Sequence, residues 1–256
     1  MLYFLIPLLS TINSLKIPFD TKYSDGTCII IGRIKGGICV GADTRRVFHL
    51  TTNGHFIDVL KYDTVCKIRK YGNLYFSASG FDVDPSYSIA ETCITNGKSI
   101  VQAAETFALA EKEARRKYLE NIRVKSPLDF EHYYKELESF RAAFYGFEDS
   151  IPKIIDIEFK MISDKTKPVI VKDSTIKFLT LPDTPNFVIM GHTDTTENLL
   201  KQSKFWVGKS FQEGIKDLLL AQCVKDSIDV GAPLDILAIF GKSAYKWYEK
   251  SGKCTF

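Results

Sequence analysis

Residues 25–46 read DGTCIIIGRIKGGICVGADTRR and place a hydroxyl, a thiol and a carboxylate where a single hairpin can gather them. The β-branched run 28–34 (CIIIGRI) favours a strand, Lys35-Gly36-Gly37 supplies a turn, and 38–43 (ICVGAD) returns. If the turn centres between Lys35 and Gly36, Cys28 and Asp43 are opposed, as are all pairs with the same number sum. Asp43 then faces Cys28 and lies beside Thr27, so β pairing alone carries a carboxylate back to the start of the first strand. A threonine hydroxyl is a weak nucleophile and needs such company to react.

The rest of the composition narrows the chemistry. The chain has 256 residues, 45% hydrophobic and 25% charged, which excludes a disordered or collagen-like polymer and fits one or two globular domains. A net charge of +3 gives no reason to expect nucleic acid as a partner. The six cysteines form no C-x-x-C pair and only four histidines accompany them, so neither a metal nor a cofactor is expected. Cys39, Cys66, Cys93 and Cys223 read as small buried hydrophobes, with an isolated disulfide left open. The Arg45-Arg46 and Arg115-Arg116-Lys117 clusters read as solvated faces.

Elements must position these groups. Residues 1–15 (MLYFLIPLLSTINSL) carry no charge and are too short and interrupted to span a bilayer. They read as a secretory h-region ending near Ser14, which implies export, or as an apolar propeptide, which leaves the cytoplasm as the compartment. Strands are expected at 65–70, 74–80, 141–148, 153–160, 187–190 and 234–241. Helices are expected at 99–119, capped by Ser99, and at 128–139, 194–203 and 210–226. Hairpins, helices, hairpins and helices in that order exclude an alternating βαβ chain. They suit an α+β fold: a four-layer αββα sandwich of two antiparallel sheets between helix layers.

The ordered set of motifs resembles a mature β-type proteasome subunit, an N-terminal nucleophile (Ntn) hydrolase. Gly26-Thr27 matches the bond that such a chain cuts in itself, and Asp43-Thr44-Arg45 matches the family's Asp-x-Arg. Lys67 in CKIRK matches its active-site lysine. ASGFDVD at 78–84 resembles its A-G-x-x-A-D segment and places Gly80 at the backbone that binds substrate and oxyanion. GHTDTTENLL at 191–200 resembles the G-S-G segment, and Lys225-Asp226 with Gly231 resembles the R-D-x-x-S-G-G ending. The resemblance implies that residues 1–26 are a signal peptide or autolytically removed propeptide and that 27–256 form the hydrolase domain. Thr27, Asp43, Lys67, Gly80 and Asp226 are then catalytic, with Arg45, His192 and Asp229 around them.

That reading has a physical basis. An α-amine titrates at about 7.7–8 and can act as a base at neutral pH, whereas a lysine at about 10.4 cannot. Cutting Gly26–Thr27 supplies such an amine on the nucleophile itself. Lys67, held charged by Asp43, would lower that amine's proton affinity. The pattern also departs from the family: Cys28 replaces a second Thr, His192 a supporting Ser, Asp229 or Val230 another Ser, and the segment from 45 to 67 is longer than usual. The resemblance implies a peptide or protein substrate and a ring of identical or different subunits, with no stable membrane insertion. Two further readings remain: an inactive, assembly-only subunit, and a small-amide Ntn hydrolase. Cys28 is the rival nucleophile.

Overall fold

A computed structural model describes residues 21–25, 27–52, 55–97, 99–131, 140–163, 168–172, 177–178, 187–202, 204–251 and 253–256. Residues 1–20, Gly26 and 132–139 lie outside them, and with them the expected export segment, the first half of the scissile bond and most of the helix expected at 128–139.

The chain is α+β, and the described strand pairs are antiparallel. One sheet contains β2 (Cys28–Ile34), β3 (Gly37–Asp43), β12 (Phe187–Gly191), β13 (Leu234–Ile239) and β14 (Tyr245–Glu249), in the order β12-β2-β3-β13-β14. A second contains β6 (Arg69–Tyr71), β7 (Leu74–Ser79), β8 (Phe140–Glu148), β9 (Ile151–Ser163) and β10 (Pro168–Lys172), with β11 (Lys177–Phe178) also on β9. A smaller sheet joins β1 (Thr21–Asp25), β4 (Arg46–Thr52) and β5 (His55–Tyr62). The helices are α1 (Asp84–Asn96), α2 (Ile100–Lys125), the single turn α3 (Pro127–Asp129), α4 (Asp194–Leu200) and α5 (Phe211–Lys225).

Period-two alternation explains the uninterrupted apolar run of β2. Ile29 and Ile31 face one way, into a cluster with Val40, Tyr75, Tyr145 and Ile154 between the two large sheets. Cys28 and Ile30 face the other way, into a cluster with Ile215, Leu218 and Leu219 of α5. With both faces buried, no polar alternation can appear in the sequence. β7 behaves alike: Tyr75 joins the inter-sheet cluster, while Phe76 and Ala78 pack with Phe107 of α2 and Phe144. Each fully buried side chain of this size contributes about 1.5–3 kcal/mol.

Several expectations change. Within the segment from 45 to 67, read as longer than usual, residues 46–62 form the β4–β5 hairpin, and β1 pairs on β4 from Thr21↔Thr51 to Asp25↔Val47. α1 and β14 were not expected. α2 runs six residues past the expected end, with Ser99 Oγ accepting from the Gln102 N–H. The strand expected at 65–70 shrinks to β6, and residues 64–68 are irregular. Cys66 is not a free buried thiol: it is bonded to Cys254. Arg115 is not solvated either, because α2 turns it inward onto Glu111, the Phe81 carbonyl and Ser86. Among the described residues, no helix is long and apolar enough to cross a membrane.

Candidate active site

The β2–β3 register is the one expected, with Ile29↔Ala42 and Ile30↔Gly41 as pairs. It puts the Asp43 carboxylate at the start of β2, fully buried. Asp43 Oδ1 accepts from the Cys28 N–H at 2.7 Å and from Lys67 Nζ at 2.7 Å. Oδ2 accepts from the Arg45 N–H at 3.1 Å and the Gly231 N–H at 3.2 Å. One oxygen therefore joins the peptide group that follows Thr27 to the ammonium of Lys67. Burial pushes the Asp43 carboxyl up from its ordinary range and the Lys67 ammonium down; their mutual contact opposes both effects.

Lys67 is 2% exposed and so is not a solvated surface lysine. It sits in the irregular stretch before β6, fixed from three sides. Its Nζ meets Asp43, its carbonyl accepts from the Tyr87 hydroxyl of α1 at 3.3 Å, and the preceding residue is bridged to Cys254. Tyr87 and Cys254 are positioning residues that sequence reasoning missed. Tyr87 lay in an unrecognised helix, and a bridge spanning 188 residues leaves no local spacing signal.

Thr27 is 5% exposed, with the strand of residues 21–25 ahead of it. Its carbonyl accepts from the His192 N–H at 2.7 Å, extending the β2–β12 ladder beyond Gly191↔Cys28. Gly191 is required there: its φ is +89°, and a Cβ would stand 1.9 Å from the Thr27 carbonyl oxygen. The His192 imidazole Nδ1 lies 2.6 Å from Asp226 Oδ2, and Asp226 ends α5 as its C-cap. Asp229 joins them. One ligand atom from each of His192, Asp226 and Asp229 lies within 4.8 Å of the others, so this trio is the group at the site able to approach a cation. His49 Nε2 of β4 stands 3.9 Å from Asp229.

Arg45 is not a solvated cation. It makes a bidentate pair with Asp63 and donates to the Ser227 carbonyl, tying the end of β5 to the loop that carries Asp229 and Gly231. Gly80 stands just after β7 with φ +115°, in the left-handed region open to glycine. The structure thus brings Thr27, Asp43, Lys67 and His192–Asp226 to one end of β2, and places Gly80 at the turn into α1.

Burial pushes the Cys28 thiol well up, and Asp43 adds to the effect. Cys28 is therefore held as a thiol beside the site.

No family model matches the chain, and none of the curated proteins matches it. Among solved structures it is similar to the Anbu (Gly-1) mutant from Hyphomicrobium sp. strain MC1, at 18% identity and a TM-score of 0.48, covering 88% of this chain and 87% of that one.

Proposed function

We propose that this chain is the precursor of an N-terminal nucleophile hydrolase of the β-type proteasome kind, which cuts its own Gly26–Thr27 bond and then cleaves peptide bonds through an acyl ester on Thr27. The observation that carries this reading is the convergence of the Cys28 N–H and Lys67 Nζ on one oxygen of buried Asp43. A buried ion pair is a costly device for stability alone. Placed one peptide group from a threonine, it supplies fixed positive potential at a hydroxyl oxygen.

After self-cleavage the Thr27 amine, in its neutral form, takes the hydroxyl proton as Oγ attacks the substrate carbonyl. The same amine returns that proton to the leaving amine, and water then hydrolyses the ester. Lys67 lowers the amine's proton affinity, and the Gly80 N–H receives the oxyanion. His192 and Asp226 hold the carbonyl side of Thr27 and the wall beside it. The four-layer αββα sandwich belongs to the same reading, supported by three apolar clusters in series: helices on sheet, sheet on sheet, sheet on helix. Assembly into a ring with copies of this chain or related chains goes with it.

Intact mass of the purified protein tests the proposal. The expected chain starts at Thr27, reacts at that residue with a peptide epoxyketone, and stays uncut when Thr27→Ala is introduced. A chain that keeps residue 26 and hydrolyses no peptide overturns it. A species of monomer size on a sizing column, turning over small amides, would favour the small-amide alternative.

A further inference from the structure

Four side chains on the His192 side of the site come from separate segments and together offer the donors of a transition-metal centre. His49 lies on β4, His192 follows β12, Asp226 caps the end of α5, and Asp229 lies in the loop beyond it. His192 Nδ1 is 2.6 Å from Asp226 Oδ2. One ligand atom from each of His192, Asp226 and Asp229 lies within 4.8 Å of the others, and His49 Nε2 stands 3.9 Å from Asp229 Oδ1. All four side chains are between 19% and 32% exposed, which leaves an ion a way in from solvent and encloses it once there. Positions 49, 192, 226 and 229 share no short spacing, which is why the rule of closely spaced ligand pairs passed over them. His192 also stands where the β-type pattern has a serine, so the donor set is particular to this chain.

The donor chemistry selects the ion. Two imidazole nitrogens with two carboxylate oxygens suit zinc, whereas calcium and magnesium take oxygen ligands. With neutral imidazoles the set carries two negative charges, which one divalent cation cancels. Arg45 reaches the same loop at the Ser227 carbonyl, but its guanidinium is paired with Asp63. Ligand atoms around a tetrahedral zinc lie about 3.3 Å apart. The 2.6 Å and 3.9 Å contacts fall on either side of that spacing, within reach of small side-chain rotations.

We propose that His49, His192, Asp226 and Asp229 bind one zinc ion. The ion ties β4, the turn after β12 and the end of α5 to one another. Because the His192 N–H donates to the Thr27 carbonyl, it also braces the turn on which Thr27 rests. The zinc site goes beyond the threonine-hydrolase reading and does not depend on it.

The test strips the purified full chain with a chelator, titrates it with zinc chloride, and counts bound metal by native mass spectrometry. One zinc per chain is expected, held against a large excess of calcium and magnesium, with a melting temperature that rises with zinc concentration. His49→Gln, His192→Gln and Asp229→Asn should each weaken zinc binding by more than about tenfold, since even the outer-shell partners of a metal are worth that much. Each should also remove the zinc-dependent rise in melting temperature. Circular dichroism checks that the variants fold, and Asp229→Asn, which keeps the side chain's size, carries the test if a histidine variant does not. A wild-type chain that binds no zinc, or yields it to calcium, overturns the site. Zinc binding that all three substitutions leave untouched overturns it too, because the ion is then held by other residues. Absence of peptide turnover both with and without zinc would defeat the hydrolase reading and leave the zinc site standing.

Discussion

Cys28 follows Thr27 directly, and thiols are the stronger nucleophiles in water, yet its surroundings disarm it. The side chain is fully buried among Ile30, Leu218 and Val230, and the Asp43 carboxylate nearby disfavours a thiolate. Native protein at pH 8 should leave Cys28 unmodified by iodoacetamide, with alkylation appearing only on unfolding; peptide mapping reads this directly. Cys28→Ala should still yield a chain beginning at Thr27, and modification of native Cys28 would restore it as a candidate. Gly191 makes the opposite case, a residue without chemistry on which the chemistry depends. Gly191→Ala drives a methyl group into the Thr27 carbonyl and imposes φ +89° on an alanine. Displacing Thr27 by an ångström is expected to cost about a hundredfold in self-cleavage rate, measured as mature chain formed over time against a circular-dichroism control for folding.

At the scale of elements, the β2–β3 hairpin was legible because its turn residues fix the register, and register alone carried Asp43 to Cys28. α5 was legible from its apolar stripe, and Ser99 as a cap from its residue type. The β4–β5 hairpin was hidden by its polar, histidine-containing composition, although Asn53-Gly54 is a turn-forming pair. α1 begins where a motif read for its glycine ends and was passed over, although Asp84-Pro85 is a helix-opening pair. What no local pattern could show is contact between distant segments: Arg45 with Asp63 and Ser227, Tyr87 with Lys67, and Cys66 with Cys254. The last of these has a direct consequence. The bridge anchors the carboxy-terminal segment beside the irregular stretch that presents Lys67. Cys254→Ser should lower stability by roughly 2–4 kcal/mol, seen as a lower melting temperature. It should also slow peptide turnover more than it weakens substrate binding, because the loosened group is Lys67 rather than a contact to substrate. A variant that melts early but keeps the wild-type kcat would make the bridge purely structural.

For the whole molecule, the site exists because two sheets and a helix layer close over the end of β2. That enclosure makes Lys67 tunable: an exposed lysine would titrate at about 10.4, whereas burial moves this one down, with Asp43 opposing the shift. The signs then fix the pH profile of a hydrolase using the Thr27 amine. On the acid side activity rises with pH, because the amine must lose its proton to act as base, and that limb should fall at or below about 7.7–8 with a cation nearby. On the alkaline side Lys67 must keep its proton, so activity is present below its depressed pKa and is lost as pH rises through it. The profile of kcat/KM for a peptide without titratable side chains should therefore be a bell whose alkaline limb falls below that of an ordinary lysine. Lys67→Met removes the charge and leaves the Asp43 carboxylate buried without its cation, so it should abolish turnover at every pH. An alkaline limb at or above about 10.4 would mean that the titrating group is not enclosed, and that the lysine lies outside the chemistry.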